Sequence, residues 1–515
     1  MAQDKLTFLL DKYAADEKAL RKIDEYVITK LPRLLSIFLK KEMRKEILEC
    51  ESEKYISAFF TDPSTQFYYI PVSNTFVQYD GRHYQVLNED IIWHTILSDI
   101  TAKVVLLDWK YLVKTKILKG IKERVLFSAI PESETIQSVI GFLTPGYFTS
   151  KEETKYFLTC LGDNILKRAQ RPIQLTMPSA KGFVDSIQQQ AQYIFTHSIT
   201  INDSFRISCG TTISRATKER RLIRINIAEE LNEYWHNFLN TSILDLIVVS
   251  CHYSIRFGGS ENYIQTHCHN SDVQDYTLYL KNKSNDALII DFINAYIVKG
   301  GEQSDTSMNW KDLYFLWNEY LKTFHYPQLM TRAKWEDTLV KHLVYDSGLG
   351  KFPNISSKYL QYVRIFNLFW KETITDASNT LFEISEITIL YNDWLKCRQP
   401  GEKFLSEKKI HSVIRYFLPQ YYIDNSKYIP NIECSLWNKN QDIEETLQYL
   451  KETQKLGIGK KLLSFYKLYK LYCEFAKQKP FKYIASKKYF ENILRTTIPK
   501  ECLSGDAVLA DYWKL

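Results

Sequence analysis

The segment Gly457-Ile458-Gly459-Lys460-Lys461 is the nearest the chain comes to a phosphate-binding loop. A nucleotide motor needs GxxxxGK[ST] between a strand and a helix, because backbone N–H groups and the lysine must cradle the phosphates. Here the first glycine is missing at that spacing and no Ser or Thr follows Lys460; Gly348-Leu349-Gly350-Lys351 fails in the same way. Two-metal polymerase or primase chemistry needs convergent carboxylates, often as DxD on a strand. Asp291 in Leu288-Ile289-Ile290-Asp291-Phe292 and Asp245 in Leu244-Asp245-Leu246 stand alone and read as capped or paired structural acids. Cys251, His252, His267, Cys268 and His269 are the densest set of soft ligands. Alternate side chains on a strand point apart, so His267-Cys268-His269 could not all reach one ion; zinc would need Cys251 or His252 with His267 or His269. Ordinary buried thiols and surface imidazoles are the plainer reading. There is no GxSxG and no supported Cys–His nucleophile, so the expectation is a non-enzymatic chain with no catalytic residues, metal or cofactor.

Cations give a more positive signal. Arg215, Lys218, Arg220, Arg221 and Arg224 follow Thr211-Thr212-Ile213-Ser214 and lead into Ile223-Arg224-Ile225-Asn226-Ile227. On a loop entering a strand, such arginines can hold phosphates bidentately, and Arg220 and Arg221 are candidate nucleic-acid contacts. A solvated loop paired with Glu219, Glu229 and Glu230 is the competing reading. Residues 451–515 hold 14 Lys/Arg and 6 Asp/Glu, a local +8, which leaves 53 basic and 54 acidic residues elsewhere. A near-neutral body with a basic C-terminal module suits one polyanion-facing end, although a lysine-rich soluble helical end would look the same.

That basic end contains an internal repeat. Ser406–Pro419 reads SEKKIHSVIRYFLP and Ser486–Pro499 reads SKKYFENILRTTIP, with no gap between serine and proline. In both, Ser is placed to cap a helix. Ile410, Val413, Ile414 and Phe417 define one apolar face, and Phe490, Ile493 and Leu494 the corresponding one. Upstream, Leu390-Tyr391-Asn392-Asp393-Trp394-Leu395-Lys396 matches Leu471-Tyr472-Cys473-Glu474-Phe475-Ala476-Lys477, and downstream Tyr428–Trp437 matches Ala507–Trp513 as short alternating segments. Helix, connector, Ser-led helix and β-like segment is the order of a winged helix–turn–helix, and two copies predict tandem domains. Paired helical hairpins that bind nothing are the plain alternative. Lys408, Lys409, Arg415, Lys487, Lys488 and Arg495 are the proposed nucleic-acid contacts, suited to phosphate attraction more than to base reading.

The rest of the chain must position that end. Residues 16–48 read as helix through Ile23, Val27, Leu31, Leu34, Leu35 and Phe38, despite Pro32, with Lys40, Lys41, Arg44 and Lys45 as a solvated charged end. Phe67–Val72, Phe76–Tyr79 and Tyr84–Leu87 are β-rich, with Asp80-Gly81 as a tight turn, and Asn88-Glu89-Asp90 leads into a helix. Lys151–Leu161 reads as helix, Ile199–Ile201 and Phe205–Ile207 as strands, and Trp310, Leu313, Trp317, Tyr320, Leu321 and Phe324 as the apolar face of a strong helix. The fold class expected is α+β, predominantly helical and multidomain: 1–150, 151–350, and winged-helix domains at 351–445 and 446–515. With 45% hydrophobic and 25% charged residues, a disordered or fibrous chain is excluded. Nine scattered cysteines without a CxxC suggest reduced thiols. Met1–Tyr26 lacks an apolar h-region, and the longest apolar stretch, Ile243–Val249, holds Asp245 and is too short to span a bilayer, so no membrane contact is expected.

Phe67 to Asn74, Tyr79 to Tyr84 and Asn88 to His94, with Ile121–Arg124, Pro131–Thr135, Tyr156–Asn164 and a Tyr/Ile/Asn/Lys-heavy composition, resemble proteins of nucleocytoplasmic large DNA viruses. The hairpin-then-helix portion looks like the region preceding the motor in poxvirus-type primase–helicases, and the C-terminal end is similar to the tails that follow such motors. The chain departs from that family in lacking both the Walker A lysine and the primase carboxylate pair. The resemblance therefore implies a viral, nucleic-acid-linked setting in the host cytoplasm or viral factory, without an active site. The expected partners are DNA or RNA through the basic module, and other viral proteins on the N-terminal and middle domains. The alternative is a protein-interaction scaffold in viral transcription or translation initiation, its winged helices used for docking.

Overall fold

The computed structural model describes residues 2–62, 66–102, 104–169, 171–196, 198–208, 219–227, 232–300, 306–455, 462–478 and 483–513. The chain is predominantly helical, with small sheets of two or three strands among the described residues. It divides into two compact units: residues 1–289 with 321–341, and residues 290–320 with 342–515.

The first unit begins with helix Ala2–Lys12 and then runs as Glu17–Asp24, a π-helical Glu25–Lys30 and Leu31–Thr61. Pro32 sits at the second residue of the last of these, directly after the π-helical turn. The expected helix is present, but its expected apolar face is not covered. Leu31, Leu34, Leu35 and Phe38 are exposed, and in Leu31–Thr61 burial starts only at Leu48, with Ser52 and Tyr55. Those residues meet Phe67 and Phe76 of an antiparallel meander, Gln66–Ile70, Thr75–Tyr79 and Tyr84–Leu87, and Ile92, Ile96, Val113 and Ile117 of the helices behind it. Gly81 takes φ +95° in the turn, where Asp80 Oδ1 accepts the N–H groups of Arg82 and His83 at 2.8 and 2.7 Å.

A second core in this unit is built on helices Lys151–Ile165 and Asn232–Phe257. They approach so closely at Gly162 that any Cβ there would collide with the Ser250 carbonyl oxygen. The apolar run around Ile243–Val249 belongs to this second, 26-residue helix, which is long and apolar enough to cross a membrane by length and composition. Its most apolar window is 72% buried inside the protein. Asp245 on it is a structural acid: it accepts the Tyr84 N–H at 2.7 Å and lies 2.8 Å from His83 Nδ1, and burial pushes its carboxyl above the ordinary range. Beside this core lies a parallel sheet in which Ile173–Leu175 is flanked by Phe205–Arg206 and Arg220–Leu222. The strand expected at Ile199–Ile201 does not form. Side chains satisfy its backbone instead, Gln188 Oε1 accepting the Ile201 N–H and Asn164 donating to the Ile201 carbonyl.

The second unit is organised by repetition. Around Ser406 the order is helix Gln361–Thr373, strand Ile374–Glu383, helix Ile384–Arg398, helix Glu407–Phe417 and strand Tyr428–Cys434, the two strands pairing antiparallel. Around Ser486 it is Lys439–Lys455, Leu462–Ser464, Phe465–Gln478, Lys487–Thr497 and Ala507–Leu509, again with the two strands paired. The same order of elements occurs once more along the chain: Asn285–Tyr296, Ser307–Asn309, Trp310–Thr323, Arg332–Leu339 and Lys351–Pro353. Three helices start directly after their strands, at Trp310, Ile384 and Phe465, and carry a buried aliphatic three residues on (Leu313, Ile387, Leu468). Buried aromatics follow at steps seven and ten: Trp317, Tyr391 and Tyr472, then Tyr320, Trp394 and Phe475. Steps of three, seven and ten fall on one helical face, so one pattern of packing is used each time.

Candidate nucleic-acid interface

The two Ser-led helices start where their sequence placed them, at Glu407 and Lys487, and each runs for 11 residues. Ile410, Val413 and Ile414 are fully buried on one, and Tyr489, Phe490 and Leu494 on the other. Ser406 and Ser486 have the extended backbone of an N-cap, but neither side chain makes the capping bond. At Ser486 the N–H donates to Glu386 Oε1 at 2.7 Å, and its hydroxyl is buried without a partner among the described residues.

Burying those apolar positions turns the remaining face outward. Positions 408, 411, 412 and 415 lie within about one-third of a helical turn of one another, given 100° per residue. On the Ser406 helix they hold Lys408, His411, Ser412 and Arg415; on the Ser486 helix, Lys488, Glu491, Asn492 and Arg495. Lys408, Lys409 and Arg415 are exposed and have no carboxylate partner among the described residues; Lys409 lies 5.4 Å from the Tyr362 ring. The end of this helix is anchored, because Tyr416 O–H donates to the Lys311 carbonyl and Lys311 Nζ to the Phe417 carbonyl, both at 3.1 Å.

The Ser486 face is different. Lys487 pairs with Glu491 at 3.5 Å, Lys488 with Asp424 at 3.3 Å, and Arg495 is hydrogen-bonded to Asp506. Lys488 also lies 4.2 Å from the Tyr428 ring. Such half-exposed pairs are weak and exchangeable, yet a phosphate there must displace a carboxylate. The local excess of positive charge is therefore not all available on this helix, and Lys460, Lys461, Lys479 and Lys482 lie outside the described residues. At the matching positions upstream, helix Arg332–Leu339 carries Ala333, Glu336 and Asp337, with Val340 just beyond, and so has no cation in this stripe.

The arginine cluster belongs to the first unit. Arg221, expected to reach phosphate, is 3% exposed and makes a two-point bridge with Glu261: Nε to Oε2 at 2.8 Å and NH2 to Oε1 at 2.6 Å. A third bond, from NH1 to the Arg220 carbonyl at 2.7 Å, completes its coordination. The reason is topological: strand pairing of Arg220–Leu222 with Ile173–Leu175 turns Arg221 inward, and Glu261 neutralises it. Burial pushes the Glu261 carboxyl up, but the hydrogen bonds and charge of Arg221, with Lys281 3.3 Å away, outweigh it and hold the group below its ordinary value. Arg220 on the same strand is half-buried and has interaction partners of its own. Arg224 lies 4.3 Å over the Tyr276 ring and 3.9 Å from Glu153. Arg215 and Lys218 lie outside the described residues.

The other chemistry-bearing groups remain dispersed. Among the described residues no three of His, Cys, Asp and Glu converge as a metal site. Cys251 is buried in helix Asn232–Phe257, and burial pushes its thiol well up. His267-Cys268-His269 is not a strand: His267 ends a π-helical turn, Tyr263–His267, and Cys268 and His269 follow it. Gly348-Leu349-Gly350 leads into strand Lys351–Pro353 where a phosphate loop would need a helix, and all of Gly457–Lys461 lies outside the described residues. Sequence reading missed the upstream repeat, whose signal was the Leu-Tyr-Phe-Leu-Trp run from Leu313 to Trp317 beside Leu468-Tyr469-Lys470-Leu471-Tyr472. Compared with protein families, curated proteins and solved structures, the chain matches none.

Proposed function

We propose that this chain is a non-catalytic nucleic-acid-binding scaffold of a large DNA virus, acting in the host cytoplasm at the viral factory. Binding is through the outward face of helix Glu407–Phe417. The observation that carries this reading is the set Lys408, Lys409 and Arg415, exposed on one anchored helix without a neutralising carboxylate among the described residues. Unpaired cations at helical spacing suit a polyphosphate backbone, which attracts charge without regard to sequence. Lys487, Lys488 and Arg495 form the subsidiary face. In the winged-helix reading these are the third, recognition helices of modules running from Gln361 to Cys434 and from Lys439 to Leu509. Its support is the order helix, strand, helix, helix, strand with antiparallel pairing of the two strands.

The second reading, a protein-docking scaffold in viral transcription or translation initiation, is favoured by the carboxylate pairing on the Ser486 helix and the acidic upstream helix. Fluorescence anisotropy with labelled duplex DNA, single-stranded DNA and RNA separates the two. Charge reversal by Lys408→Glu with Arg415→Glu is expected to abolish low-salt binding, and Lys488→Glu with Arg495→Glu to weaken it less. Equal effects of the two pairs would remove the priority given to the Ser406 helix, and binding unchanged by both would favour docking.

A further inference from the structure

A cleft of about 350 Å³ opens in the first unit, lined by residues that follow two strands of the parallel sheet and by the start of helix Lys181–Phe195. Thr176 directly follows the central strand Ile173–Leu175, Arg206 ends the neighbouring one and Ile207 follows it. Parallel strands present their carboxyl ends to ligands because the following loops and helix starts converge there, and this volume is within the range of small-molecule sites.

Three features indicate what the cleft takes. Thr176 lines it and is only 2% exposed, yet its hydroxyl has no partner among the described residues, although its backbone N–H is satisfied by the Arg206 carbonyl at 2.9 Å. A buried hydroxyl without a partner is costly unless something enters to bond it. Lys181 and Arg206 both line the cleft without a carboxylate partner among the described residues. Of the two acids present, Asp203 is 3.4 Å from Arg171, and Asp185 accepts a hydrogen bond from Asn202 at 2.9 Å, leaving it further acceptor capacity. Val184 and Phe205 supply apolar wall. Arg206 NH1 donates to the Phe205 carbonyl at 2.8 Å, which leaves its other donors for a ligand. Two cations without carboxylate partners and a hydroxyl donor suit a phosphoryl group, and an acceptor carboxylate beside them suits the hydroxyls of a sugar.

We propose that this cleft binds a sugar phosphate, with the phosphoryl group on Thr176, Lys181 and Arg206 and the sugar hydroxyls on Asp185. The site lies within the first unit, and its ligand does not depend on the basic helices binding nucleic acid. Isothermal titration of the full chain with inorganic phosphate, ribose 5-phosphate and adenosine monophosphate tests it. Ribose 5-phosphate is expected to bind more tightly than inorganic phosphate, and adenosine monophosphate at least as tightly if the natural ligand is a nucleotide. Thr176→Val keeps the side-chain shape and should weaken ribose 5-phosphate about tenfold or more, as expected for losing a hydrogen bond to a charged group. Lys181→Gln with Arg206→Gln, at exposed positions that do not threaten the fold, should abolish binding of all three probes. Asp185→Asn should weaken ribose 5-phosphate while leaving inorganic phosphate unchanged. No heat from any probe at millimolar concentration, or binding unaffected by Thr176→Val and by the double variant, overturns the site. Inorganic phosphate binding as tightly as ribose 5-phosphate overturns the sugar assignment.

Discussion

Arg221 and Arg415 carry the same guanidinium into opposite circumstances. Arg221 is held by both oxygens of Glu261, forty positions later in the chain, and is closed to solvent; Arg415 faces water. Arg221→Ala is expected to lower stability by on the order of 2 kcal/mol, below the range for a fully buried pair because Glu261 is 33% exposed. Urea unfolding measures it. The acid sensitivity follows from the same pair. The Glu261 carboxyl is depressed in the folded chain, so its contribution is fully present above the unfolded value near 4.3 and is lost as pH falls through the lower folded value. In Arg221→Gln that depression disappears, and an acid titration followed by circular dichroism should show unfolding at higher pH than in the wild type. Equal acid midpoints would mean that the bridge does not couple to folding. Nothing in the basic run from Arg215 to Arg224 names the distant carboxylate, which is why its sequence suggested phosphate where the fold made an internal pair.

Among the elements, the repeats are joined by one buried charge pair. Lys439 begins the Ser486 repeat's first helix and is 3% exposed; its Nζ donates to Glu386 Oε2 at 2.6 Å and to the Leu381 carbonyl at 2.9 Å. Glu386, on the Ser406 repeat's helix Ile384–Arg398, also accepts the N–H groups of Glu383 and Ser486, each at 2.7 Å. Burial lowers the Lys439 amine to about 8 against the upward pull of Glu386. Lys439→Met leaves the carboxylate buried and unpaired and should cost about 3–5 kcal/mol, whereas Lys439→Met with Glu386→Leu should recover much of that loss. A double-mutant cycle by urea unfolding reads the coupling, and additive effects would contradict a direct pair. Helix Glu407–Phe417 and its partner were legible because Ser, the apolar spacing, Arg and a final Pro recur together. The upstream repeat was not, because Thr331 stands for Ser, Val340 for Arg, and no proline closes it; it keeps only the buried pattern, with Trp335 and Leu339 fully enclosed like Ile410 and Ile414.

For the whole molecule, periodicity identified the predominantly helical class, the meander and helix Trp310–Thr323, because local spacing decides which face is apolar. It did not reveal the discontinuous division into two units, with 321–341 grouped apart from the segments on either side, since that depends on long-range packing. Nor did it reveal that the apolar positions from Leu31 to Phe38 remain uncovered. Charge counting located a basic end but not which cations are already paired. In the proposed function, the free cations of helix Glu407–Phe417 neutralise nucleic-acid phosphates. Each such contact contributes about 0.9 to the slope of log affinity against log salt on duplex DNA. The decisive measurement is that slope, from anisotropy titrations of the full chain and of Lys408→Ala/Lys409→Ala/Arg415→Ala, with circular dichroism confirming an intact fold. Weaker binding and a slope flatter by roughly 2 to 3 units are expected in the variant. No low-salt binding by the wild type, or an unchanged slope in a well-folded variant, would contradict it.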